Sequence, residues 1–386
     1  MDPITGGVSQ GLRNSVPEWD LLGHSTQILC LDAPSAGYLN TETLPILCLG
    51  PAKTAWQYSP LLYPWLIENL PNYDAVIVEG IWQYHNHAVN KAVNKLKSLN
   101  LKCPKYYIMP HGMLDPYFQK AESRKLKAIR NEIYWRLIES NCFNNADAIL
   151  FTCQEELLLA RTSFKRYSPK KELNVGFGIP NVPNYTDAMK TAFSELSQLT
   201  SGEKYFLFLS RIHPKKGADI LINVYINLIK TSNKPITEWP SLIVAGPGME
   251  TEYGEALLQK VLDSGLKEKI RFTGMLSNDS KWGAFYGAEA YVLCSHQENF
   301  GISVVESMAC SVPVIISNQI NIWREISAGS AGLVCDDNEV SLRKIFGEWF
   351  SLSSEQKSQM GQNALQTYLK YFHVKAATKK MIDLLQ

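Results

Sequence analysis

From residue 200 onward, short apolar runs alternate with amphipathic segments, and this alternation most constrains the fold. YFLFLS (205–210) is an aromatic-rich apolar run of strand length. The polar loop RIHPKKG follows, and then ADILINVYINLIK (218–230), where Ile220, Leu221, Val224 and Leu228 fall at helical spacing. The pattern then repeats. SLIVAGPG (241–248) reads as strand and turn, YGEALLQKVLDSGL (253–266) as helix, KIRFTG as strand and KWGAFYGA as helix. AYVLCS reads as strand, ISVVESMACS as helix, and PVIIS and GLVCD as strands. Strands that are apolar along their whole length are buried on both faces. Alternated with helices, they predict a parallel, doubly wound α/β sheet.

The first half shows the same alternation less cleanly. STQILCLD (25–32), LPILCLG (44–50), AVIVEG (75–80), KYYIMP (105–110) and AILFT (148–152) read as strands. Residues 91–99, 124–138 and 155–162 read as helices. Near 181–200 the chain turns polar and irregular. A boundary there gives an N-terminal domain over 1–180 and a C-terminal domain over 181–365. The tail reads as helical with a kink near Tyr371–His373, and residues from about 366 to 386 are expected to return to the first domain.

The 386 residues are 45% hydrophobic, enough for two cores, and the net charge of +1 gives no electrostatic case for nucleic acid. The eight cysteines form no CxxC pair and sit mostly in apolar runs, as buried free thiols do. The first residues read as no signal peptide, and no apolar run reaches membrane-spanning length. SPLLYPWLIENL (59–70) reads as core helix plus loop, with a membrane- or acceptor-facing surface as the alternative. Trp56, Tyr58, Trp65, Trp82 and Tyr84 are open to core packing, sugar stacking or lipid contact. His85 and His87 in WQYHNHAV would share one side of a strand, but no third metal ligand accompanies them.

Ligands bind at the carboxyl ends of parallel strands, so the loops there hold the candidate site residues. Arg211, Lys215 and Lys216 precede Gly217, a cationic strand end suited to a diphosphate or to plain solvation. SHQENFG leads into a helix near Ile302. Gly301 can bring backbone close to a ligand, and the helix N-terminus favours an anion. Glu298 lies before that helix. Glu306 lies inside it, where a carboxylate can accept from both hydroxyls of a ribose or simply favour the helix dipole.

In this order the blocks resemble the retaining glycosyltransferases of family 4, of the bacterial exopolysaccharide type. ENFGISVVESMACSVPVI is similar to that family's E-x7-E block, SRIHPKKGADILI to its Lys-Gly block, and SLIVAGPG and IRFTGMLS to the two between. IMPHGMLDPY (108–117) is similar to an N-terminal P-H-G-M-L-D-P block. The resemblance implies the GT-B fold, two Rossmann-like domains facing a central cleft. It implies that Arg211 and Lys216 neutralise a donor diphosphate and that Glu298 binds the sugar hydroxyls. Backbone at Asn299, Phe300 and Gly301, with Ile302, would contact sugar and phosphate, Glu306 would hold the ribose, and the backbone at Gly274, Met275 and Leu276 would meet the base. His111 would sit over the sugar. DPITGGVSQGLRN (2–14) resembles a P-x-x-G-G loop in which Gly6 and Gly7 approach acceptor or diphosphate, though no strand precedes it. Asn299, Ser307 and Ser311 depart from the family's Gly, Ala and Gly.

No DxD triplet occurs, so no metal and no cofactor beyond the nucleotide sugar is expected. The reading is hexose transfer from a UDP-sugar, UDP-glucose first, to a glycan or lipid-linked acceptor in polysaccharide synthesis. It places a cytoplasmic monomer or dimer at the inner face of a membrane, with peripheral contact left open. GDP-mannose as donor, a sugar-nucleotide epimerase and a non-catalytic sugar-binding protein stay as alternatives. A glycan phosphorylase would need a pyridoxal-bearing lysine, and no block for one is evident.

Overall fold

The computed structural model describes residues 1–2, 6–120 and 124–385. The P-x-x part of the proposed N-terminal loop, Pro3 to Thr5, lies outside the described residues, as does the final Gln386 of the tail. The chain divides into two compact units, Met1–Gly178 with Val374–Gln386, and Ile179–His373.

The first unit contributes β1 (Ile28–Cys30), β2 (Ile46–Cys48), β3 (Ala75–Glu79), β4 (Lys105–Met109), β5 (Ala148–Phe151) and β6 (Glu172–Asn174). β3-β4-β5-β6 form one parallel sheet, while β1 and β2 pair in a sheet of their own. Both early runs are strands, as their sequences predict. Beside them, Trp135 stacks on Phe164 at 4.8 Å and Trp56 meets Tyr84 at 5.1 Å. Four of the five early aromatics pack into or against this core, and Tyr58 is exposed. Leu62 and Leu66 likewise bury the helix Leu62–Asn69.

WQYHNHAV is a correction. The helix Tyr84–Ser98 begins there, because Tyr84, Ala88, Val89, Ala92, Val93 and Leu96 bury at helical spacing. His85 and His87 therefore do not share a strand face. Among the described residues no group of three or more His, Cys, Asp or Glu is placed to hold a metal ion. The segment after Gly6 also differs from the loop its sequence resembles: Gly7–Leu21 is helix. The tail breaks at His373, which is extended, with ψ 132°. The helix Ser354–Thr367 and its π-turn to Phe372 stay in the second unit, so the return to the first begins at Val374.

The second unit contributes β7 (Tyr205–Leu209), β8 (Ser241–Ala245), β9 (Ile270–Gly274), β10 (Ala290–Leu293), β11 (Val314–Ser317) and β12 (Gly332–Cys335). The sheet is parallel throughout, in the order β9-β8-β7-β10-β11-β12. Its first strand is central and flanked by the second and fourth. This is the dinucleotide-fold order, with its switch point between β7 and β10. Phe206, Leu207, Ile243, Tyr291, Val292 and Ile315 are fully buried, as strands covered on both faces must be. On one face Phe206 lies edge-on to Phe346 at 5.3 Å and to Tyr225 at 6.0 Å. On the other, Gly283 lets its helix approach the carbonyl of Met189, where a Cβ would lie 2.0 Å away.

The two strands at the switch point are locked at their ends. Gly217, at φ 67°, turns the chain into the helix Ala218–Thr231, and a Cβ there would lie 2.0 Å from the carbonyl oxygen of Cys294. Gly217→Ala therefore meets both left-handed strain and a backbone clash. It is expected to destabilise the second unit by about 2–5 kcal/mol, read as a lower denaturant midpoint with unchanged slope.

Candidate functional site

Two loops meet beyond the switch point. The one after β7 ends in a short turn, Pro214–Lys216, which His213 caps by accepting the Lys215 N–H at 3.1 Å. The carbonyl of Lys215 accepts from the Ser295 hydroxyl at 2.9 Å and from the His296 N–H at 2.8 Å, lacing this loop to the one after β10. The lacing sets the Lys216 Nζ against the Glu298 carboxylate in an ion pair. Lys216 is buried and Glu298 half-buried. Glu298 is held through its own backbone as well: its N–H donates to Gln319 and its carbonyl accepts from Asn321, both at 3.0 Å. Its second carboxylate oxygen accepts the Asn299 N–H at 3.1 Å. The acid is thus fixed in place.

Gly301 follows at φ 72°, ψ 66°, and starts the helix Ile302–Ala309. A Cβ there would press on Val304 at 3.1 Å and on the Glu298 side chain at 3.4 Å. The first turn holds no acidic residue and no side chain caps it, so its amides present positive potential beside Glu298. Phe300 is expected to offer its backbone here. Its ring is buried, edge-on to Phe372 at 5.7 Å, so only its backbone can line the loop. Asn299 is tied to Asn321, whose side-chain amide donates to its Oδ1 at 3.2 Å.

Arg211 is exposed just past β7, and no carboxylate pairs with it among the described residues. The field here is positive. His213 is held below the usual imidazole range, first by burial and then by the charges of Arg211, Lys215 and Lys216. Glu306 sits deeper in the helix Ile302–Ala309 and pairs with Lys281 at 2.6 Å. Burial pushes its carboxyl up, and Lys281 opposes that shift. Lys281 is a partner that sequence reasoning missed, since its segment read only as helix. At the end of β9, Gly274 is left-handed at φ 71° and a Cβ on it would meet open space. Met275 beside it is 73% exposed, while Leu276 is buried.

In the first unit His111 follows β4 at φ 51°, and its Nε2 pairs with Glu79 at the end of β3. The register of β3 and β4 sets Glu79 opposite Met109, two residues before His111. The Gly112 N–H donates to the buried Glu156 at 2.5 Å. Glu156 also accepts from the Thr152 N–H at 2.8 Å and from its hydroxyl at 2.6 Å, so the loop is pinned from below. Neither Glu79 nor Glu156 stood out in sequence, since they lie in segments read as strand and helix. Burial pulls the His111 pKa down, but Glu79 and the more distant Glu156 outweigh it and the net shift is upward. The ring also meets Phe177 edge-on at 6.0 Å. A Cβ on Gly11 would lie 2.4 Å from that phenyl, so the helix Gly7–Leu21 packs close to this loop. Gly6 caps the helix at φ 106°, and both Gly6 and Gly7 are exposed.

The parallel α/β plan of the two units is that of the GT-B fold, as the structural neighbours show. The structure aligns with HepE of Anabaena, solved with UDP and glucose, over 98% of this chain and 96% of that one, at TM-score 0.70 and 16% identity. It aligns with sucrose-phosphate synthase of Thermosynechococcus elongatus over 98% and 92%, at TM-score 0.70 and 17% identity. Residues 190–367 match the family described as Glycosyl transferases group 1. In sequence the chain is 28% identical to D-inositol 3-phosphate glycosyltransferase of Frankia alni, over 33% of this chain and 32% of the relative. It is 29% identical to mannosylfructose-phosphate synthase of Agrobacterium fabrum, over 34% and 29%. The matches thus span less than a third of these curated relatives' length.

The pair His111–Glu79 makes a testable pH signature. The folded pKa of His111 is raised above the unfolded value of about 6.5. The pair's stabilisation is therefore complete below that value and lost as pH rises through the folded pKa. Glu79→Gln leaves the burial penalty and removes its main counterweight. The His111 midpoint in an NMR titration is expected to fall, and the corresponding loss of stability on raising the pH is expected to shrink.

Proposed function

We propose that the chain is a retaining, metal-independent glycosyltransferase that moves a hexose from UDP-glucose to a hydroxyl of a glycan or lipid-linked acceptor in polysaccharide synthesis. The fixed ion pair of Lys216 and Glu298 at the switch point carries this reading. It supplies a cation for a diphosphate and a carboxylate for sugar hydroxyls in one place. Arg211 adds a second, exposed cation, and the helix starting at Ile302 adds backbone N–H donors. Glu306, kept near by Lys281, takes the ribose. Gly274, Met275 and Leu276 offer a surface to the base. His111, held by Glu79, is assigned a contact to the transferred sugar. Two further observations support the donor: HepE was solved with UDP and glucose, and the same protein with UDP-glucose.

In the proposed reaction the bond from the anomeric carbon to the β-phosphate oxygen breaks first. Lys216, Arg211 and the helix N-terminus stabilise the charge that develops on the leaving diphosphate. The acceptor hydroxyl attacks the same face and passes its proton to a phosphate oxygen. Acting at the transition state, these charges are each worth about 10²–10³ in rate.

The test is to incubate the protein, without acceptor or metal, with UDP-glucose, UDP-galactose, UDP-N-acetylglucosamine and GDP-mannose, following nucleotide release and calorimetric binding. Slow UDP release from UDP-glucose, reduced about 10²–10³-fold in Arg211→Ala and Glu298→Ala, is expected. Release from GDP-mannose alone would replace the donor, and binding of none would overturn the reading. Lys281→Met gives a second check. Without that cation the Glu306 pKa rises further, and ribose binding needs the carboxylate. Donor affinity in the variant is therefore expected to begin falling at a higher pH than in the wild type as the solution is acidified.

A further inference from the structure

β1 and β2 pair with each other and, among the described residues, with no further strand. Their register sets Cys30 directly opposite Cys48. Neighbouring strands run about 4.7–4.9 Å apart, inside the Cα separation of about 4.4–6.8 Å that a disulfide spans. The two sulfurs lie 3.3 Å from each other. Both are free thiols and half-buried, whereas Cys142, Cys153, Cys294, Cys310 and Cys335 are buried. A small oxidant therefore reaches this pair more readily than those five.

The two thiols are not equivalent. Cys30 also contacts the Tyr38 hydroxyl at 3.8 Å, which itself donates to Asp32 at 2.7 Å. Burial first, and then the Cys48 side chain and the Asp32 charge, hold the Cys30 pKa well above the usual thiol range. Cys30 stays protonated near neutral pH, which leaves Cys48 to supply the nucleophilic thiolate.

We infer that Cys30 and Cys48 are a modification site for a peroxide, which converts them to a reversible disulfide that closes the loop 31–47. The Cys48 thiolate attacks the peroxide. An S–O bond forms, the O–O bond breaks and hydroxide leaves, giving a sulfenic acid. The Cys30 sulfur then attacks the Cys48 sulfur. The S–S bond forms, the S–O bond breaks, and the Cys30 proton leaves with the hydroxyl as water. In sum two thiols are oxidised and one peroxide is reduced to two waters. The sulfurs need to approach by only about 1.3 Å to reach bonding distance, and among the described residues no third strand holds β1 or β2 against that shift.

The closed loop carries Glu42, which accepts from Arg13 of the helix Gly7–Leu21 at 2.6 Å. The disulfide thus ties the support of that helix to the presence of oxidant. The inference does not depend on the donor reading, because neither cysteine belongs to the candidate site.

To test it, the full chain is treated with hydrogen peroxide at neutral pH, its remaining thiols are alkylated, and its peptides are mapped by mass. A linked Cys30–Cys48 peptide, the loss of two free thiols and their return with dithiothreitol are expected. In Cys30→Ser, Cys48 is expected to stop at the sulfenic acid and to be trapped by dimedone. In Cys48→Ser, Cys30 is expected to stay reduced. The oxidised wild type should unfold at a higher temperature than the reduced form, because a closed loop restricts the unfolded chain, and the difference should vanish in both variants. Cys48 carried on to sulfinic acid in the wild type, a link between the buried Cys294 and Cys335 instead, a link between two chains, or eight intact thiols would overturn the inference.

Discussion

The backbone contact between the start of the helix Ala218–Thr231 and the end of β10 governs the second unit. Gly217 lies against the carbonyl of Cys294 with no room for a side chain. The loops leaving β7 and β10 must diverge from a common point, and the hydrogen bonds to the Lys215 carbonyl keep them in register as they do. Everything chemical in this unit follows from that spacing. Lys216 reaches Glu298 because the turn before Gly217 is fixed, and Glu298 is fixed because Gln319 and Asn321 hold its backbone from the neighbouring strand loop. The charge pair costs little to organise at the moment a ligand arrives, since its geometry is set in the fold.

The same site separates two carboxylates by environment. Glu298 shares its oxygens between an ammonium and a backbone N–H at the rim. Glu306 is deeper, so burial raises its pKa, against the opposing pull of its partner Lys281. A polar ligand hydroxyl near Glu306 would replace hydration that burial has removed, which makes this carboxylate a stronger acceptor than an exposed one.

Sequence carried the second unit almost whole, for a physical reason. Its strands are covered on both faces, so each is an apolar run, and the long helices Ala218–Thr231 and Glu252–Ser264 keep an amphipathic period. The loops at the switch point were readable because glycine and charge stand at fixed offsets from those strands. What could not be read was long-range pairing. Lys281 is 25 residues from Glu306, and Glu79 is 32 residues from His111. The first unit was harder to read. Its two earliest strands pair only with each other among the described residues. In WQYHNHAV, alternating polar residues imitated a strand where buried residues at helical spacing make the start of a helix.

The exposed helix of the first unit shows how polar residues inside can send aliphatic ones out. On the inward side of Lys125–Glu139, Trp135 is fully buried and its indole N–H donates to the Lys165 carbonyl at 2.8 Å. One turn on, Glu139 is buried with its pKa pushed up to about 7 by burial. It accepts from the Trp82 N–H at 2.8 Å and from the Asn86 amide, whose oxygen accepts from the Tyr106 hydroxyl at 2.8 Å. A network of this kind is costly to leave half-made, so it fixes which side of the helix faces the core. The π-turn lets both Trp135 and Glu139 meet their partners, since its wider winding keeps residues four apart on one side. With that side committed to an indole and a carboxyl, Leu126, Ile129, Ile133 and Leu137 have nowhere inside to go. The stripe they form is therefore a consequence of the side that Trp135 and Glu139 commit to the core.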